Sequence, residues 1–131
     1  GTRRFPPEIS RVEVEREIRE AVMAAVGDAP IEVHVDATSQ GNDGFRISPE
    51  MPLVKMLRAA YEDVHGRPLP LGVQFFGADN AKFLNWGKTM AVGYGNDLTK
   101  AHADLEWCDT RRVVEIVQVW LATLLRFFNL A

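Results

Sequence analysis

The last helix written into this sequence leaves little freedom for the rest of the chain. It starts at Asp109, a residue type suited to capping, and its apolar residues Val113, Ile116, Val117, Trp120, Leu121, Leu124 and Phe128 nearly encircle a 3.6-residue repeat. A helix that is apolar on almost every side has to be covered on most sides. Glu115, Gln118, Thr123 and Arg126 interrupt the run from Val113 to Leu130, so a buried helix is expected and a membrane span is not.

Candidates for that cover come earlier in the chain. Ser10 with Glu13 reads as a capping box, and Ile9 with Val14 as a hydrophobic staple. Val14, Ile18, Ala21, Val22 and Ala25 then form one stripe of an amphipathic helix that ends at Gly27. Ile31, Val33 and Val35 alternate with Glu32, His34 and Asp36, the period of an outer strand with one wet face. The polar, glycine-bearing stretch from Thr38 to Ile47 reads as a connector, and a boundary between two units is expected there.

After the connector, Ser48-Pro49-Glu50 starts a helix carrying Leu53, Val54, Leu57, Ala60, Tyr61 and Val64 inward and stopping at Gly66. Val73 to Phe76 is a short strand candidate, Ala78 to Trp86 a short helix closed by Gly87, and Thr89 to Tyr94 a second strand. The order helix, strand, helix, strand, helix predicts an α/β layer with parallel pairing. Two short strands cannot cover these helices, so the pattern reads as an incomplete α/β fragment with strands missing.

With 131 residues, 47% hydrophobic and 25% charged, the composition is that of a globular protein with room for a sizeable core. A net charge of -3 with interleaved basic residues argues against nucleic acid as a partner. The single cysteine, Cys108, cannot close an internal disulfide, and Gly1 to Pro7 lack the apolar stretch of a secretion signal, so the expected compartment is the cytoplasm.

The richest stretch for chemistry is Tyr94-Gly95, a polar loop, and then Ala101-His102-Ala103-Asp104-Leu105-Glu106. A histidine just past the end of a parallel strand stands where α/β folds gather ligands, and neutral imidazole is the commonest metal ligand. By spacing alone, a surface histidine is the simpler account. Asp79, at a helix start, reads equally as an N-cap or a site residue, and Gly77 as a turn or a close approach to substrate. Arg3 and Arg46 are the candidates to grip a carboxylate, although Arg46 lies in the connector, where a solvated side chain is the simpler reading. His34 and His65 are expected to have no catalytic role, and Trp86, Trp107 and Trp120 read as packing residues.

Three pieces together carry a resemblance. Gly87 to Glu106, with Tyr94-Gly95 and Ala101-His102 through Glu106, resembles a segment of the two-zinc amidohydrolase and metallopeptidase family that includes acetylornithine deacetylase, succinyl-diaminopimelate desuccinylase, aminoacylase and glutamate carboxypeptidase. Gly77-Ala78-Asp79-Asn80-Ala81-Lys82-Phe83 is similar to that family's Gly-Thr-Asp-Ala-x-x-Phe, and Thr2-Arg3-Arg4-Phe5 to the Asp-x-Arg strand late in its inserted lid domain. Their order and spacing match over essentially the whole chain. Departures are Gly1 for the usual aspartate, Ala78 for threonine or serine, Asn96-Asp97 for Pro-Gly, and Leu105 before Glu106.

The resemblance implies that residues 1–38 end a lid or dimerisation domain and that 39–131 belong to a zinc-dependent catalytic domain. It implies His102 as a metal ligand, Arg3, Gly77, Asp79 and Arg46 as substrate-binding residues, and two zinc ions per parent chain, with cobalt as a substitute. The general base and the remaining ligands would lie upstream of Gly1, so no catalytic residue is expected in this chain, and the fragment alone should be inactive. Its parent would cleave an N-acyl amino acid or small peptide and form a homo-oligomer. Two other readings stand beside it: a noncatalytic interaction module or split-protein fragment that pairs with a partner chain, and a small enzyme using Asp79, His102 and Glu106. The last is weak, because a lone catalytic zinc needs three protein ligands.

Overall fold

The computed structural model describes residues 3–35, 43–73, 78–96, 101 and 103–130. Every regular element among them is a helix: α1 (Arg11–Val26), α2 (Pro52–His65), α3 (Asn80–Asn85) and α4 (Thr110–Phe127). The expectation of an α/β fold is thereby overturned. Ile31 to Val35 and Thr89 to Tyr94 form no strand. Of the third candidate, Val73 is not in a strand, and Gln74 to Phe76 lie outside the described residues.

The physical reason is that a strand exists only in a ladder, where a neighbour satisfies its backbone. Among the described residues neither segment has one. Two backbone groups of the Ile31 to Val35 segment have partners of another kind: the Ile31 N–H donates to the Ala29 carbonyl at 2.7 Å, and Arg19 donates Nη2 to the Val35 carbonyl at 2.8 Å. Alternating polarity describes a half-buried extended segment as well as it describes a strand.

The chain divides into two compact units, one of Gly1–Arg46 with Gln74–Thr89 and one of Ile47–Val73 with Met90–Ala131. In the first, α1 begins where its capping box predicts. The Ser10 hydroxyl accepts the Glu13 N–H, and the Glu13 carboxylate accepts the Ser10 N–H at 2.8 Å. Val14 is buried, Ile18 and Val22 half-buried, and Ala21 and Ala25 exposed, so the stripe is covered mainly at its N-terminal end. Asp43 ties the unit together, its carboxylate accepting the Arg11 N–H at 2.9 Å and its carbonyl accepting from the Asn85 amide at 3.4 Å. Gly44 lies so close to Pro6-Pro7 that an added Cβ would fall 2.7 Å from the Pro7 nitrogen.

In the second unit, α2 starts later than its sequence signal suggests. Ser48 instead makes a turn, its carbonyl accepting the Met51 N–H at 3.0 Å, and Pro52 takes the first position, where a missing N–H costs nothing. Gly66 ends α2 in the left-handed region, at φ 65°. Asp109 caps α4, its Oδ1 accepting the Arg111 N–H at 2.9 Å.

α2 and α4 pack together around Leu57, Ala60, Tyr61 and Val119, with Val64, Leu69, Val92, Tyr94, Trp120 and Ala122 around that cluster. Buried Thr123 donates its hydroxyl to the Val119 carbonyl at 2.7 Å, and Arg126 of α4 pairs with Asp63 of α2. Cover for α4 within its own unit is one-sided. Val113, Val114, Val117, Leu121, Leu124, Leu125, Phe127 and Phe128 are all exposed.

Candidate functional site

Of the five sequence-predicted site residues, His102 and Gly77 lie outside the described residues. Arg3, Asp79 and Arg46 belong to the first unit, and each is engaged by a different neighbour. Arg3 donates Nη2 to the Glu17 carboxylate of α1 at 3.3 Å and Nη1 to the carbonyl of its neighbour Arg4 at 2.6 Å, so its guanidinium is engaged on both sides. Arg46 pairs with Glu8. Asp79 sits at the N-cap of α3 but makes no capping bond with its side chain. Its carboxylate accepts from the Lys82 ammonium at 2.8 Å, while its carbonyl accepts the Lys82 and Phe83 N–H groups.

These pairs fix what the side chains can do as they stand. A guanidinium already bound to a carboxylate must exchange that partner before it can grip a substrate carboxylate. At exposed sites such pairs are individually weak, so the exchange costs little. Arg3 and Arg46 therefore keep the capacity to bind an anion.

Of the acidic residues that follow His102 in sequence, Asp104 and Glu106 are exposed, and among the described residues no group of three His, Cys, Asp or Glu side chains is arranged to hold a metal. A closed zinc shell requires three or four such ligands, so the described residues do not form one. His34 contacts Glu32 at 3.1 Å on the surface. Trp86 and Trp107 are exposed, so of the three tryptophans read as packing residues only half-buried Trp120 packs against the core.

Sequence reasoning missed two features of the second unit. One is an aromatic cluster: Tyr94 meets Tyr61 edge-on at 6.1 Å and Trp120 at 6.0 Å, and His65 lies 4.2 Å from the Tyr61 ring. Burial pushes the Tyr94 phenol above its ordinary pKa, with Tyr61 and Glu115 adding to the effect. The His65 Nε2 is buried with no hydrogen-bond partner among the described residues.

The other is a concavity of about 210 Å³ lined by Lys55, Arg58, Ala59, Glu62, Pro68 and Leu69. The Nε of Arg58 is buried and has no hydrogen-bond partner among the described residues. The spacing 55, 58, 59, 62 is one face of a helix, and that periodicity was the available signal. Lys55, however, is already paired with Glu50 at 2.7 Å. Comparison with protein-family models, with curated proteins and with solved structures gave no match in any of the three.

Proposed function

We propose that this chain is part of a zinc-dependent amidohydrolase that cleaves the amide bond of an N-acyl amino acid or small peptide, and that the chain is inactive by itself. The observation that carries the reading is the segment Tyr94-Gly95 followed by Ala101-His102 and Glu106, in register with the two upstream pieces. Tyr94 supports it in physical terms, because a metal-ligand loop needs a rigid root and this tyrosine is wedged edge-on between Tyr61 and Trp120.

His102 would supply one zinc ligand and Arg3 the grip on the free carboxylate. A pair of zinc ions, when bound, polarises the amide carbonyl and acidifies a water. Since the described residues form no closed metal shell, no catalytic step is assigned to this chain. Assayed with zinc or cobalt against a panel of N-acyl amino acids, it is expected to show no turnover. In a longer parent chain, His102→Ala should lower zinc content from two ions toward one and cut turnover by orders of magnitude. Unchanged turnover with both ions retained would remove His102 from the site and the reading with it.

A second reading, a noncatalytic module that pairs with another chain, is favoured by the exposed apolar side of α4. Elemental analysis separates the two. Two zinc ions per parent chain support the enzyme, and none in any context supports the module.

A further inference from the structure

We infer that Asp43 is a site of spontaneous covalent modification, where its carboxyl and the Gly44 backbone nitrogen close into a succinimide that reopens as isoaspartate and unties α1. The inference does not rest on the amidohydrolase reading. Of the eight aspartates in the chain, Asp43 alone is followed by glycine, and no asparagine is.

Ring closure joins groups of two adjacent residues, so their approach decides whether it occurs. At the other seven aspartates the next residue carries a Cβ that crowds the attacking nitrogen and restricts the backbone, whereas Gly44 has none. The surroundings of Asp43 leave the approach open. Its side chain is exposed to water, and Asp43-Gly44 lies outside every helix. Asp63, by contrast, sits within α2, where the backbone dihedrals are fixed and the next N–H belongs to the helix, and its carboxylate is paired with Arg126.

The Arg11 N–H donates to one carboxylate oxygen of Asp43, Oδ1, at 2.9 Å. That oxygen can stay on the ring while the other leaves, so the bond does not forbid closure. The Gly44 nitrogen bonds to the Asp43 Cγ and gives up its proton, the bond from Cγ to the other oxygen breaks, and water departs. Water then adds to one of the two ring carbonyls and breaks its bond to nitrogen. Opening at Cγ restores aspartate. Opening at the former main-chain carbonyl gives isoaspartate, with no net gain or loss of atoms or electrons.

In the product, the two groups by which Asp43 ties its unit exchange places. The carboxyl that accepts from Arg11 becomes the link of the chain, and the carbonyl that accepts from the Asn85 amide becomes a free carboxylate. The main chain also gains one methylene immediately before Gly44, which has no room for even a Cβ against Pro6-Pro7. Isoaspartate therefore cannot keep both hydrogen bonds and the close approach of Gly44 at once, and the start of α1 loses its tie to residue 43.

The full chain, aged at about 37 °C and near-neutral pH, tests this beside a synthetic peptide of residues 40–48. Isoaspartate is located by digestion and electron-transfer fragmentation, which tells the two linkages apart at equal mass. It should accumulate at Asp43 ahead of every other aspartate. Asp43→Glu, whose ring would need a sixth member, should stay free of the product at that position, and Asp43→Asn, which releases ammonia instead of water, should form it faster. The chromatographically separated isoaspartate form should unfold about 4–8 °C lower than unaged protein, the shift expected when a contact the size of a helix cap is lost from a unit this small. A chain that keeps Asp43 intact while the peptide isomerises overturns the inference, as does isoaspartate that forms first at another aspartate. An isomerised chain with an unchanged thermal midpoint refutes the untying of α1.

Discussion

Truncating Leu57 to alanine is the sharpest test of where the second unit keeps its stability. Leu57 is 2% exposed and belongs to a cluster whose other buried members among the described residues are Ala60, Tyr61 and Val119. Leucine-to-alanine changes at such sites cost about 2–5 kcal/mol, the value rising with the volume the surroundings leave unfilled. Here two helices meet with little else around them, so partial closure is available, and about 3 kcal/mol is expected. A unit of roughly 70 residues has about 3–10 kcal/mol of stability in all, so the loss is about 30% or more of it.

Urea unfolding followed by the helical circular dichroism signal measures it. With a slope of about 1 kcal/mol per molar urea, the midpoint should fall by about 2–3 M. Leu121→Ala removes the same atoms from a side chain that is 56% exposed and should cost no more than about 0.5 kcal/mol in monomeric protein. Two variants with equal midpoints, or a Leu57→Ala shift under roughly 0.5 M at unchanged slope, would show that α2 and α4 do not share a core.

Ser10→Ala should cost about 1 kcal/mol, read as a lower thermal midpoint, because the α1 cap loses its hydroxyl acceptor. Acid should weaken the starts of α1 and α4. The Ser10 backbone N–H holds the Glu13 carboxyl below its ordinary pKa, and the Arg111 N–H does the same for Asp109. With folded-state values depressed, this stabilisation is full above the unfolded-state pKa and is lost as pH falls through the folded-state one. Helical signal titrated from neutral to strongly acid pH should therefore fall only below the ordinary carboxylate range, and Glu13→Gln with Asp109→Asn should flatten that fall. Gly44→Ala should destabilise the first unit by about 1–3 kcal/mol, measured as faster proteolysis near Pro7, since the new Cβ would overlap the Pro6-Pro7 backbone.

Helices were legible in this sequence through local signals, although the start read at Ser48 proved to be a turn before α2. The box at Ser10 and Glu13, the caps at Gly66 and Asp109, and the 3.6-residue row of Val54, Leu57 and Tyr61 depend on neighbours within a turn or two, and the structure keeps each of them. Strands were not, because alternation along Ile31 to Val35 says only that one side of an extended segment is apolar. Whether a ladder forms depends on a second segment elsewhere, and none takes that part among the described residues.

The same distinction explains the candidate site. Arg3, Arg46 and Asp79 were chosen by residue type and position in a motif, which carry no information about the partner each finds. Glu17 and Glu8 are 14 and 38 residues away in the chain. Lys82, by contrast, is only three residues from Asp79, and its pairing was open to local reasoning.

α4 is the instructive case. Its apolar residues on nearly every side demand cover, and the rest of the sequence reads as lacking the elements to supply it. Val119 and Thr123, on the side toward α2, are buried, while Leu121 on the other side is 56% exposed. An encircled apolar pattern says that a helix needs cover, but not which face the rest of the chain supplies it to, because that depends on which distant segment packs there.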